Sequence, residues 1–286
     1  MSGYSHSPGP PNLIRHMNTP RTLSLLFAFT LAPVFSLAQS TATTTASTET
    51  TEVPAVIKLG VGFDYSRGDY GFTESTEVFS VPLNLSMDKD RWAFKATLPF
   101  ITIKGPASVV IGTGAASGAP ARPTTKSESG VGDAMLSATY HVRPVPGELN
   151  IDVTGRVKFG TADEDKGLGT GETDYYGQID LYQNFGTITP FGTVGYRVLG
   201  TNATFQLKDG LYASAGAAFR VSTKTVVGAA YDWRSRIIEG AQNGTDAIAF
   251  VSTSPNDRWN VLGYLLTGFN DASPDYGIGG LATYKF

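Results

Sequence analysis

From Ala55 to the end of the chain, apolar and polar residues alternate with a period of two, and helical periodicity is almost absent. Successive side chains of a strand point to opposite faces, so this pattern specifies strands with one apolar and one polar face. In VIKLGVGFDYS the apolar set is Ile57, Leu59, Val61, Phe63 and Tyr65, with Lys58, Gly60, Gly62, Asp64 and Ser66 between them. ELNIDVTGRVKFG repeats it, with Leu149, Ile151, Val153, Val157 and Phe159 on one side and Asn150, Asp152, Thr154, Arg156 and Lys158 on the other. Twelve such segments run near 55–66, 75–86, 91–104, 131–142, 148–160, 174–185, 188–199, 210–221, 225–236, 245–253, 258–268 and 276–286. The tenth and eleventh, DAIAFVSTS and RWNVLGYLLTG, alternate poorly, and the pattern leaves their inward faces open.

Two architectures bury strands of this kind: a soluble sandwich turns the apolar face inward, and a membrane barrel turns it toward lipid. Loop lengths decide between them. The connections 67–74, 105–130, 161–173, 200–209, 237–244 and 269–275 are long, whereas 87–90, 143–147, 186–187, 222–224 and 254–257 are tight. Short turns on one side and long loops on the other, with an even strand count, are the outer-membrane pattern. The expectation is an all-β fold, a closed antiparallel up-and-down transmembrane β-barrel of about twelve strands over residues 55–286. Aromatic residues near strand ends, such as Trp92, Tyr140, Tyr175 and Trp233, suit the interfacial girdles. Such a barrel sits among outer-membrane lipid and lipopolysaccharide.

The chain ends GGLATYKF, with Tyr284 and Phe286 on one face of a strand that runs to the last residue. Chain ends fray unless held, so this strand must close the barrel against the first. An aromatic register ending in Phe286 resembles the C-terminal signal read by the β-barrel assembly machinery.

The other terminus gives the compartment. LSLLFAFTLAPVF from Leu23 is uncharged, follows Arg15 and Arg21, and precedes small residues at Ser36 and Ala38. That is the layout of a secretory signal peptide, residues 1–38, and Met17 is an alternative start. The run, at roughly 13 residues, falls short of the roughly 20 that span a bilayer, and no other segment is apolar enough to cross as a helix. Residues 39–54 form a Thr-rich tail of low complexity, expected to be disordered. The chain has no cysteine, which excludes disulfides and a lipidated cysteine. Without the leader it carries 20 basic residues against 25 acidic ones, a formal charge of −5 with no basic cluster, which argues against nucleic acid. Charged residues make up only 16% of the chain, against about 25% in ordinary soluble domains. A lipid-facing exterior accounts for the deficit.

SGVGDAMLSATYHV (129–142), the stretch FGTADEDKGLGTGETDYYGQIDLYQNFGTITPFGTVGYRVLG (159–200) and GFNDASPDYGIGGLATYKF (268–286) resemble the outer-membrane family named for the MetA pathway of phenol degradation. The likeness covers most of the chain after residue 75. It implies a transporter-like barrel that admits hydrophobic compounds, and it implies no catalytic residue.

Enzyme readings fail on the residues themselves. Ser137 and His141 share one strand face, as a nucleophile and base might. His141 is the only histidine of the mature chain, and it lies at the periplasmic end, away from outer-leaflet lipid. A lumen histidine without catalytic duty is the better account, and no enzyme activity, cofactor or metal is expected. The acids Asp163, Glu164, Asp165 and Glu172 could bind divalent cations that bridge lipopolysaccharide, but a solvated external loop explains them more simply. Segment 105–130 either folds over the barrel mouth or is disordered.

The lumen remains. Inward positions carry Lys58, Asp64, Lys95, Asp133, Asp152, Arg156, Lys158, Asp174, Asp180, Arg197, Arg220, Asp232, Arg234 and Arg236. These charges either line a water-filled pathway or pair across a narrow lumen and plug it. Small inward residues such as Gly60, Gly62, Gly216, Ala218, Gly228 and Ala230 favour open volume. The sequence therefore points to an outer-membrane channel passing small molecules, hydrophobic or aromatic compounds among them, through a narrow polar lumen. The alternative is a non-conducting structural or adhesive barrel acting through its extracellular loops.

Overall fold

The computed structural model describes residues 54–286 except 112–113, 117, 123–125 and 143–148. The expected signal peptide, nearly all of the Thr-rich tail and the expected turn at 143–147 lie outside the described residues. The strands are β1 (Val56–Gly68), β2 (Thr76–Lys89), β3 (Trp92–Lys104), β4 (Val109–Ile111), β5 (Gly114–Ala115), β6 (Glu128–Val131), β7 (Met135–Val142) and β8 (Asn150–Lys158). They continue as β9 (Asp174–Tyr182), β10 (Ile188–Val198), β11 (Gly210–Arg220), β12 (Thr225–Arg234), β13 (Gly244–Thr253), β14 (Trp259–Gly268) and β15 (Tyr276–Lys285).

All of these except the β4–β5 hairpin belong to one antiparallel sheet, in which each stave pairs with the next in sequence. The sheet closes because β1 pairs with β15, from Lys58 opposite Lys285 to Arg67 opposite Tyr276. β6 and β7 both pair with β3 and are successive pieces of one stave, so the barrel has twelve. The sequence pattern gave this stave as a single segment, 131–142. The wall is interrupted at Gly132–Ala134, where the Gly132 amide donates to the Pro99 carbonyl and the Phe159 amide to the Ala134 carbonyl. Pro99 has no N–H to offer a ladder, and a Cβ on Gly132 would stand 2.4 Å from Ile101. The break therefore follows from a proline facing a glycine that has no room for a side chain.

Side-chain placement has the polarity of a membrane barrel. Along β1, Ile57, Leu59, Val61 and Phe63 are exposed, while Gly60, Gly62, Asp64 and Ser66 are buried. The same holds for Leu83 and Leu85 on β2, Val153 on β8, Ile179 on β9, Val194 on β10 and Leu265 on β14, all outward and exposed. A continuous apolar exterior of this extent belongs in hydrocarbon. Ring contacts edge it at the periplasmic end, where Trp92 packs on Phe94 and Tyr140, and Trp259 on Tyr284. The tight turns lie at that end. β2 and β3 are joined only by Asp90 and Arg91, with Asp90 at φ 53°, a left-handed conformation that Asp tolerates better than most residues.

The terminus is held on both sides. The Lys285 amide donates to the Arg258 carbonyl and the Phe286 amide to the Ile57 carbonyl, while the Phe286 ring packs edge-on against Tyr284. Phe286 is nevertheless 70% exposed, on the outward, lipid-side face. Its side chain thus adds little to the folded wall. Deleting Phe286 should lower the amount of heat-modifiable barrel recovered in outer membranes while export continues. An unchanged yield of folded protein would remove the assembly role of Tyr284 and Phe286.

Candidate functional site in the barrel lumen

One side of the lumen is polar, and several of its charges are paired along the wall. Lys158 at the outer end of β8 places Nζ 3.0 Å from Asp133 Oδ2 and 3.0 Å from Asp174 Oδ2, with all three side chains buried. The other Asp133 oxygen accepts the backbone amides of Thr161 and Ala162. Asp174 Oδ1 accepts the amide of Gly200. The triad therefore ties the loops after β8 and β10 to the wall. Lower down, Asp180 accepts from Thr193 and Gln178, and Gln178 in turn accepts from the Tyr212 hydroxyl. Arg156 stands over the Tyr176 ring at 5.7 Å, within cation–π range. At the periplasmic end, His141 Nδ1 lies 2.8 Å from Asp152 Oδ1, and Lys58 pairs with Asp88. Asp64 accepts a hydrogen bond from Tyr264.

The other side is apolar. Ala218, Ala230, Ile248, Phe250, Leu262, Tyr264 and Leu266 form a buried cluster on the inner faces of β11 to β14, with Phe191, Val226 and Leu281 against it. This explains the poor alternation of DAIAFVSTS and RWNVLGYLLTG: β13 and β14 meet lipid on one face and an apolar lumen surface on the other. Rings here lie over glycines of neighbouring strands. A Cβ on Gly216 would stand 2.3 Å from the Phe191 ring, on Gly228 2.2 Å from Phe250, on Gly195 2.2 Å from Tyr212, and on Gly279 2.4 Å from Tyr264. The small inward residues therefore do not simply leave open volume, as expected from sequence. They receive rings that lie against the wall instead of projecting toward the axis.

The outer mouth is crossed by described residues of segment 105–130. Val110, Ala116 and Ala119 from this segment pack with Leu199, Phe205, Leu207 and Ile237 from the loops after β10 and β12, on the far side of the barrel. Val109 packs with Val78, Ile101, Ile103, Ala162 and Leu168 near its own strand. Buried Arg122 fastens the base, donating to the carbonyls of Ile103, Gly105 and Lys126. Of the two readings left open for this segment, the structure supports folding over the mouth. Beside it lies an open recess of about 940 Å³ lined by residues that include Pro120, Asn202, Phe205, Leu207 and Ile238.

The structure brings Asp64, Lys95, Asp133, Asp152, Lys158, Asp174, Asp180, Arg197, Asp232 and Arg234 together as buried inward side chains. Lys58, Arg156 and Arg220 also face inward and are half-buried. Arg236 does not belong with them. β12 ends at Arg234, and Arg236 is exposed in the loop beyond, where its backbone amide donates to Asn243. The apolar–polar alternation continues two residues past the last ladder position. The sequence reading missed Asp88, which pairs with Lys58, and Asp246, which pairs with Arg234 through Oδ2 at 2.6 Å. Asp246 stands opposite Asp232 in the ladder, so extending the β12 register across the turn would have found it.

Ser137 and His141 do share the inward face of β7, but four residues along a strand separate them by about 13 Å. That distance is beyond hydrogen-bond reach, and the histidine is engaged by Asp152. In the acidic outer loop Asp163 is engaged locally, by the Lys166 amide and ammonium. Among the described residues no group of three or more His, Cys, Asp or Glu is placed to hold a metal.

The geometry defines a bacterial outer-membrane β-barrel. The structure is similar to the COG4313 outer membrane channel from Pseudomonas putida F1, with a TM-score of 0.62 at 15% identity, covering 85% of this chain and 100% of that one. It is also similar to the NanC porin, with a TM-score of 0.51 at 8% identity, covering 80% of this chain and 100% of that one. At these identities the likeness is one of fold. No protein-family model and no curated protein sequence matches the chain.

The Lys158 triad gives a direct test of the polar wall. Lys158→Met leaves Asp133 and Asp174 buried without their cation, which should cost about 3–5 kcal/mol. It should therefore lower the denaturant midpoint for loss of the heat-modifiable form. Adding Asp133→Asn and Asp174→Asn should restore much of the loss. A single variant as stable as the parent would show that the triad is not formed.

Proposed function

We propose that the chain is an outer-membrane channel that passes small molecules, hydrophobic and aromatic compounds among them, and carries out no catalysis. The observation that carries this reading is the direction of charge pairing. Lys58–Asp88, His141–Asp152, Lys158–Asp133, Lys158–Asp174 and Arg234–Asp246 each join neighbouring staves. A plug needs bridges across the lumen; these pairs run along its wall. The lumen is narrow in this reading, with a polar side and an apolar side rather than a wholly polar lining. The Phe250–Leu262–Leu266 surface is the apolar side along which such a solute passes.

Support also comes from the structural likeness to a protein described as an outer membrane channel, and from the motifs resembling the MetA-pathway family. On this reading the inward charges from Lys58 to Arg234 tune the passage. Lipid, lipopolysaccharide and the assembly machinery are its partners, and a small organic solute is its cargo.

Liposome swelling tests the proposal with solutes that bilayers exclude. Aromatic amino acids should enter proteoliposomes faster than sugars of similar mass, and Leu262→Asn should remove that preference by breaking the apolar surface. A folded barrel impermeable to both would support the non-conducting structural or adhesive alternative.

A further inference from the structure

One row of inward side chains holds four oxygen atoms without a hydrogen-bond partner in the protein. Ser214 on β11, Asp232 on β12 and Asp246 on β13 stand directly opposite one another in two successive ladders. Asp232 and Asp246 are fully buried and Ser214 is 7% exposed. Both carboxylate oxygens of Asp232, the Oδ1 of Asp246 and the hydroxyl of Ser214 have no hydrogen-bond partner in the protein. The remaining Asp246 oxygen takes Arg234 at 2.6 Å and the Ser273 hydroxyl at 3.1 Å. The row below is Gly216, Ala230 and Ile248, which offers no donor.

We propose that these side chains form a binding site for a hard divalent cation, with calcium the first to test. Directly opposed residues on adjacent strands have Cβ atoms about 4.5–5.5 Å apart, so opposed aspartates can share one ion. The free donors are all oxygens, from two carboxylates and a hydroxyl, the set that suits calcium or magnesium and not softer metals. Charge points the same way: two buried carboxylates stand against one guanidinium, that of Arg234, and buried charge without compensation is costly. Ser214 is the independent sign. Its buried hydroxyl, directly opposite Asp232 in the ladder and without a hydrogen-bond partner, is not explained by carboxylate repulsion, and it adds a third side chain to the donor set.

A bound divalent ion would staple three staves where the charged outer lumen meets the apolar surface. It would also turn the local net charge from negative to positive. The site stands whether or not the barrel conducts.

The test uses the purified, folded barrel in detergent, stripped with EDTA and titrated with calcium by calorimetry, alongside its heat-unfolding midpoint. The parent should show one saturable site and a midpoint that rises with calcium. Asp232→Asn should weaken binding by about tenfold or more, since losing even a group that only orients a ligand costs about that much, and abolish the calcium-dependent rise. In EDTA it should be at least as stable as the parent, since it removes an uncompensated charge. Ser214→Ala, which deletes an unpartnered hydroxyl, should weaken binding and keeps the comparison available if Asp232→Asn does not fold. Asp163→Asn in the outer loop should bind as the parent does. The proposal is overturned if the parent shows no calcium-dependent rise, if neither inward variant weakens binding, or if the loop variant alone abolishes it.

Discussion

Everything in this structure depends on satisfying backbone hydrogen bonds where there is no water to satisfy them. In hydrocarbon each unpaired N–H or C=O costs several kcal/mol, so a sheet that spans a membrane has to close. Here closure is the pairing of β1 with β15, continued to the last residue by Phe286 and Ile57. Because β1 and β15 meet antiparallel in an up-and-down sheet, the number of staves is even. The alternation follows from closure too. A closed wall has two sides, and in lipid the apolar side is the outer one.

Closure also shapes the lumen. Inward side chains of adjacent staves stand about 5 Å apart, so a charge finds its nearest partner beside it on the wall. Lys158 between Asp133 and Asp174, and Arg234 beside Asp246, are solutions of this kind. The apolar side solves its packing by setting rings over glycines, as Phe191 does over Gly216 and Phe250 over Gly228. Both devices keep side chains on the wall. At the outer end, Val110, Ala116 and Ala119 pack across the mouth against Leu199, Phe205, Leu207 and Ile237.

The wall was legible in the sequence because a period of two and a rhythm of short and long connections are local properties. All twelve staves fall within a few residues of their segments, and inward positions from Asp64 to Arg234 are placed as the alternation gives them. What was not legible depends on contacts between distant residues. The break at Gly132–Ala134 arises from Pro99 on the neighbouring stave. Arg236 alternates like a strand residue, but the ladder has already ended at Arg234. The inner faces of β13 and β14 could not be assigned because both of their faces are apolar, for different reasons. The partners of the lumen charges follow from register, which single segments do not reveal.

The central claim, a lumen whose side chains line a water-accessible passage, is tested most directly by cysteine accessibility, because the chain has no cysteine of its own. Single cysteines at inward Ser137 and Ala230, and at outward Leu136 and Tyr231, would be treated in intact proteoliposomes with a small water-soluble thiol reagent. The account predicts modification at Ser137 and Ala230 and protection at Leu136 and Tyr231. Protection at both inward positions would show a plugged barrel and contradict it.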